Sequence, residues 1–172
     1  MFRNGQFVWE HVTPAFFYAD DDYEVNPSGV DITLGNVERF DEERRLVMMR
    51  DGKIEKPSVS ESHRGRHDKE TVWDLDDGYY WVNYTETISI PEGHVGFVYP
   101  RSTLMRNGVM LFTAVWDAGY EGKGGGGMLV NGGLTIEKGT RIGQLVLAES
   151  EDTDIRYDGQ YQGEGISDDG GE

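Results

Sequence analysis

The chain has 172 residues, 37 % hydrophobic and 12 % aromatic, which suits one folded domain with its own core and excludes a disordered chain. Sixteen basic residues against 32 acidic ones leave a net charge of −16, a surface that repels the phosphates of nucleic acid. The absence of cysteine excludes disulfides, thiolate metal sites and a Cys nucleophile, and no apolar run nears the roughly 20 residues of a membrane-spanning helix.

The start, Met1 to Gln6, lacks the apolar stretch of a signal peptide, so a cytoplasmic location is expected. Gly5 to Val12 is expected as about two helical turns. Residues 41–78 are charged and interrupted, and read as an excursion or long hairpin outside the core. Within them His63 and His67 stand four apart, but Gly65 lies between them and Arg64, Arg66 and Lys69 surround them, which favours an exposed loop over a metal site. Tyr79 to Ile90 alternates, with Val82, Tyr84, Ile88 and Ile90 on one face and Asn83, Thr85, Thr87 and Ser89 on the other. The aromatics Trp73, Tyr79, Tyr80, Trp81 and Tyr84 read as core or interface packing rather than ligand contacts. Pro91-Glu92-Gly93 is a turn, and His94 to Tyr99 a further strand. Leu104 to Asn107 is expected as one helical turn, stopped by Gly108 at a C-cap position. Val109 to Trp116 is another strand; Leu134 to Ile136 and Arg141 to Ala148 read as a hairpin around Glu137-Lys138-Gly139. From Glu149 to Glu172 the chain is polar, Gly-rich and acidic, with Tyr157, Tyr161 and Ile166 available to dock it. Many short strands separated by turn signals make the expected class all-β, a sandwich or barrel.

Two segments carry chemistry. Pro100 to Gly108 sets Arg101, Ser102, Thr103 and Arg106 together after a strand, in a chain otherwise short of positive charge. Hydroxyls and guanidinium forks suit a phosphate chain; the alternative is a surface loop whose arginines pair with nearby acids. Trp116 to Gly122 sets Asp117 at a strand end before a Gly turn carrying Tyr120. Such an Asp can deprotonate a water beside a stacked ring, or simply serve a hairpin turn.

With Gly139-Thr140-Arg141-Ile142-Gly143-Gln144-Leu145, these segments resemble, in order and spacing, the superfamily of dUTP nucleotidohydrolases and dCTP deaminases. Pro27 to Gly35 resembles the first motif of that superfamily in its deaminase-like form, and Tyr157 to Gly163 the C-terminal one. The resemblance spans about residues 25–165 and is strongest to the archaeal dUTP hydrolase branch. It implies a distorted jelly-roll β-sandwich over residues 1–150, with an acidic tail over 151–172 that closes over the site. It also implies a homotrimer with sites between subunits, and hydrolysis of dUTP with Mg²⁺ that lowers dUTP and supplies dUMP for thymidylate synthesis. By position, the resemblance makes Asp117 the residue that activates water and Tyr120 the ring under the deoxyribose. Arg101, Ser102, Thr103 and Arg106 become phosphate contacts, Gln144 the glutamine of the fourth motif, and Asp31 the acid that helps hold Mg²⁺, largely through water. No membrane or nucleic-acid partner is expected.

Several residues depart from the family pattern. Gly124 to Gly127 replaces an apolar strand, which signals either a loop insertion or close approach of the backbone to the base. Two other functions share the fold: a dCTP deaminase, alone or bifunctional, and a non-catalytic nucleotide-binding regulator. Asp117 and Tyr120 argue against the regulator. Deamination in this superfamily depends on a glutamate ten residues after the motif aspartate, where this chain has Gly127, and residues 123–130 contain no acid. Five lysines among 16 basic residues, with so much acid, fit a protein adapted to high salt.

Overall fold

The longest strand, Gly29–Phe40, runs through the middle of the molecule and organises everything near the site. The structure is a computed structural model that describes residues 1–14, 25–40, 46–50, 54–55, 59–61, 72–151 and 155–166. His63, His67 and most of the 41–78 excursion lie outside the described residues.

The elements in chain order are α1 (Gly5–Trp9), β1 (Val12–Thr13), β2 (Val25–Asn26), β3 (Gly29–Phe40), β4 (Val47–Met48), β5 (Ile54–Glu55), β6 (Val59–Glu61), β7 (Val72–Leu75) and β8 (Gly78–Tyr84). They continue with β9 (Thr87–Ser89), β10 (His94–Pro100), α2 (Ser102–Arg106), β11 (Val109–Phe112), β12 (Glu121–Gly122), β13 (Gly125–Val130), β14 (Leu134–Glu137) and β15 (Arg141–Glu149). The architecture is the expected all-β one, with two short helices among the described residues. The main sheet has the order β10-β15-β3-β8-β13-β11, with β2 and β6 also on β3, and a smaller sheet has the order β1-β9-β12. None of the helices is long and apolar enough to cross a membrane.

β3 carries no clean alternation because its first half, Gly29 to Leu34, is buried throughout; there it pairs with β15 and β2, and from Leu34 onward with β8. β8 does alternate: Tyr80, Val82 and Tyr84 are buried, while Tyr79 is exposed. The predicted strand 79–90 is broken in two at Thr85 and Glu86, both of which are buried. Val30, Ile32, Leu34, Val82, Ile88, Met128, Leu145 and Leu147 form the centre of the core. Burying each such side chain contributes about 1.5–3 kcal/mol relative to leaving it exposed.

Three expectations need correction. The first helix stops at Trp9, because the chain turns at Glu10 and His11 and Val12–Thr13 joins β9. The strand begun at Val109 ends at Phe112, and Trp116 is instead bridged to Gly96 by backbone hydrogen bonds of 2.9 and 3.1 Å. Leu134–Glu137 and Arg141–Glu149 do not form a hairpin. β14 pairs with β7, setting Ile136 opposite the buried Trp73, whereas β15 enters the main sheet between β10 and β3. The turn between them is bound to β3 rather than closed on itself: Gly139 N donates to the Leu34 carbonyl and Leu34 N to the Thr140 carbonyl.

Candidate active site

Two groups of the expected site residues emerge, and among the described residues only the second borders a cavity. The first lies where β10, β15 and β3 run side by side. Register places Gln144 opposite Asp31 on one side and Tyr99 on the other. β10 ends at Pro100 and delivers Arg101, whose N–H donates to the Ile142 carbonyl. The Arg101 guanidinium stands 3.5 Å from Asp31 Oδ2, and that of Arg141 stands 3.7 Å from the same oxygen. Asn26 Nδ2 donates to Asp31 Oδ1 at 2.9 Å. Burial pushes the Asp31 carboxyl above the usual carboxylate range, opposed by the Arg101 charge and the Asn26 bond. Beyond Arg101, the single-turn helix α2 leaves Ser102, Thr103 and Arg106 exposed together. Its last turn is closed by Asn107 Nδ2 on the Thr103 carbonyl and by Gly108 in the left-handed region at φ +80°.

The second group surrounds a cavity of about 280 Å³ bordered by Trp81, Trp116, Asp117, Tyr120, Tyr157 and Glu164, among others. The turn 116–120 is fixed from outside. Gly119, at φ +86°, donates to the Ile90 carbonyl, and Ile90 N donates to the Tyr120 carbonyl. Trp116 and Tyr120 meet edge to face with ring centroids 5.0 Å apart, and Tyr120 meets Tyr157 in the same way at 5.4 Å. Burial, reinforced by the Glu164 charge and by Tyr157, pushes the Tyr120 phenol up, so it stays protonated. Asp117 is exposed at the cavity edge.

The C-terminal segment 155–166 forms one wall. Tyr157 N donates to the Ala118 carbonyl, Gly163 N to that of Glu121, and Lys123 N to that of Glu164. Gln162 binds from both ends of its amide: Nε2 donates to the Gly119 carbonyl and Oε1 accepts from Glu121 N. Tyr161 also borders the cavity. Arg156 is turned away, in an ion pair with Glu92 at 2.5 Å.

The cavity thus unites Asp117 with Tyr120, while Asp31, Arg101, Ser102, Thr103, Arg106 and Gln144 are absent from its walls. Sequence reasoning missed Trp81, which belongs to the cavity wall rather than to simple packing; Trp73, Tyr80 and Tyr84 are core as expected. The signal was available in strand parity, since Trp81 stands on the face of β8 opposite to Tyr80 and Val82.

Residues 10–150 match the family described as dCTP deaminase-like. A probable deoxyuridine 5′-triphosphate nucleotidohydrolase of Halobacterium salinarum is 46 % identical over 165 residues, covering 95 % of each chain. The deoxyuridine 5′-triphosphate nucleotidohydrolase of Methanocaldococcus jannaschii is 34 % identical over 148 residues, covering 86 % of this chain and 93 % of that relative. Among solved structures, the 2′-deoxycytidine 5′-triphosphate deaminase from Agrobacterium tumefaciens superposes with a TM-score of 0.59 at 14 % identity, over 87 % of this chain and 48 % of that one. That likeness concerns the fold alone.

Proposed function

The chain belongs to the dUTP nucleotidohydrolases of the dCTP deaminase-like family, and from that premise we propose that it hydrolyses dUTP to dUMP and diphosphate. One observation carries the reading: the Asp117 carboxylate and the Tyr120 ring border the same aromatic cavity. Asp117 takes a proton from the attacking water, whose oxygen bonds to the α-phosphorus. The bond to the α–β bridging oxygen breaks, and that oxygen leaves with the diphosphate. Tyr120, locked edge-on between Trp116 and Tyr157, lies under the deoxyribose and leaves no space for a 2′-hydroxyl. Arg101, Ser102, Thr103 and Arg106 receive the phosphate chain, with Gln144 beside them.

Because those phosphate contacts do not border the cavity of their own chain, the reading calls for sites completed between copies in a homotrimer. The exposed apolar side chains of Tyr99, Met105, Phe112 and Val115, close in sequence to both groups, support such packing. Mg²⁺ is the cofactor expected to travel with the triphosphate, neutralising charge on its oxygens. Asp31 does not fit as a direct ligand. Both of its oxygens are engaged, and a divalent cation there would meet the like charges of Arg101 and Arg141. No group of three or more His, Asp or Glu side chains suited to a metal occurs among the described residues. Deamination of dCTP is not favoured, since position 127 is glycine and Glu121 is exposed. The product role is to lower dUTP and supply dUMP for thymidylate synthesis, in the cytoplasm.

The test is Asp117→Asn, assayed for dUMP and diphosphate from dUTP. The expected loss is about 10²- to 10⁴-fold in rate with nucleotide binding retained. A variant within a few-fold of wild type would remove Asp117 from the reaction.

A further inference from the structure

The run Gly124 to Gly127 has no part in the chemistry above, yet Gly125 to Gly127 belong to a paired strand rather than a loop insertion, with Gly124 just before it at φ +59°. β13 lies between β8 and β11, with Gly125 opposite Asn83, Gly126 opposite Val82 and Gly127 opposite Trp81. The reason for glycine is the space already taken by β8. A Cβ on Gly127 would run into the Tyr79 hydroxyl. A Cβ on Gly125 would meet the Val82 carbonyl oxygen and fall 2.9 Å from Cζ2 and 3.1 Å from Cε2 of Trp81. The Trp81 indole therefore lies across the strand at Gly125, where any other residue would hold it off. It borders the cavity together with Gly124 and Gly125 themselves.

We propose that Trp81 is the size-selecting wall at the base end of this cavity, admitting uracil and rejecting a pyrimidine that carries a 5-methyl group. This rests on reading the cavity as the dUTP site. If Asp117 faces the α-phosphate and Tyr120 the sugar, Trp81, Gly124 and Gly125 build a wall available to the base, with Ala114, Val115 and Trp116 also bordering the cavity. Uracil has one polar edge, carrying O2, N3–H and O4, and one apolar edge at C5 and C6. The apolar edge takes the apolar indole, while the polar edge needs hydrogen-bonding partners such as strand backbone offers. An indole lying on a side-chain-free strand has little room to retreat. A close-packed wall of this kind yields poorly to an added methyl group.

The experiment compares wild type with Trp81→Leu and Trp81→Phe, each checked for unchanged thermal melting, by kcat and KM for dUTP and dTTP. Trp81→Leu is expected to raise the dTTP-to-dUTP ratio of kcat/KM by about 10- to 200-fold, the range one methyl group commands in a tight pocket. KM for dUTP should rise while kcat changes less, a split that a merely structural defect would not give. A ratio within about threefold of wild type in folded Trp81→Leu overturns the proposal. Should Trp81→Leu fail to fold, Trp81→Phe decides: a shift in the same direction of about threefold or more supports it, and a smaller one overturns it. A wild-type protein inactive on dUTP is a different result, and defeats the functional reading itself.

Discussion

Glu86 is a carboxylate with no exposed surface, on the inward parity of an otherwise apolar run. Both its oxygens accept from Thr33 N at 3.1 Å, and Oε1 also accepts from Thr33 Oγ1 at 2.7 Å. Burial raises its pKa, and the bonds from Thr33 and Thr85 only partly oppose this. The folded chain therefore holds a proton on Glu86 to higher pH than the unfolded chain does. Its contribution to stability is greatest below the ordinary Glu pKa of about 4.3 and falls as pH rises through the raised folded value. This is the reverse of an ion-paired surface carboxylate. In Glu86→Gln the titration is gone, so melting temperatures taken along a pH series should show wild type losing ground to the variant as pH rises through that window. A constant difference across the series would contradict it. Asp117 and Tyr120 stood out in the sequence because a Gly turn carrying an aromatic is a local feature, and both border the cavity. Glu86 was passed over because its partner Thr33 is 53 positions away. The surroundings of Asp31 were equally hidden, because its arginines come from the end of β10 and from β15, far along the chain.

Elements were legible where a strand has one wet face and illegible where it has none. β8 matched the alternation and β10 the strand expected at His94 to Tyr99, whereas the apparent hairpin 134–148 failed because β7 competes for β14 and the main sheet claims β15. Glycine content misled most at β13, where low strand propensity is overridden by what the neighbours supply. That override predicts its own fragility. A Cβ on Gly126 would lie 2.7 Å from the Phe112 carbonyl oxygen, a backbone atom of the paired strand, and 3.1 Å from the Tyr84 hydroxyl. Gly126→Ala should therefore destabilise the fold by about 1–3 kcal/mol, although alanine suits a strand no worse than glycine. Denaturant unfolding of the two proteins measures this, and an unchanged midpoint would mean that β11 moves aside freely.

For the whole molecule, self-repulsion is the dominant long-range term. A net charge of −16 on 172 residues is only locally offset, as at Arg3 and the Met1 amino group on Glu149. Salt at molar concentration shortens the Debye length to about 3 Å and removes most of that repulsion. The melting temperature should rise clearly between dilute buffer and molar KCl, and a flat profile would refute the salt-adapted reading while leaving the enzyme untouched. Charge was fully legible in the sequence; sheet order was not, since nothing local says that residues 141–149 lie between residues 94–100 and 29–40. That order has a consequence in time. Synthesis proceeds from the N-terminus at about 5–20 residues per second, so β3 and β10 leave the ribosome well before the strand that joins them. For those seconds both present unpaired edges, each a template for another chain. The strand that bridges the two is the last part of the sheet to be made, and the nascent protein spends that interval depending on whatever shields it.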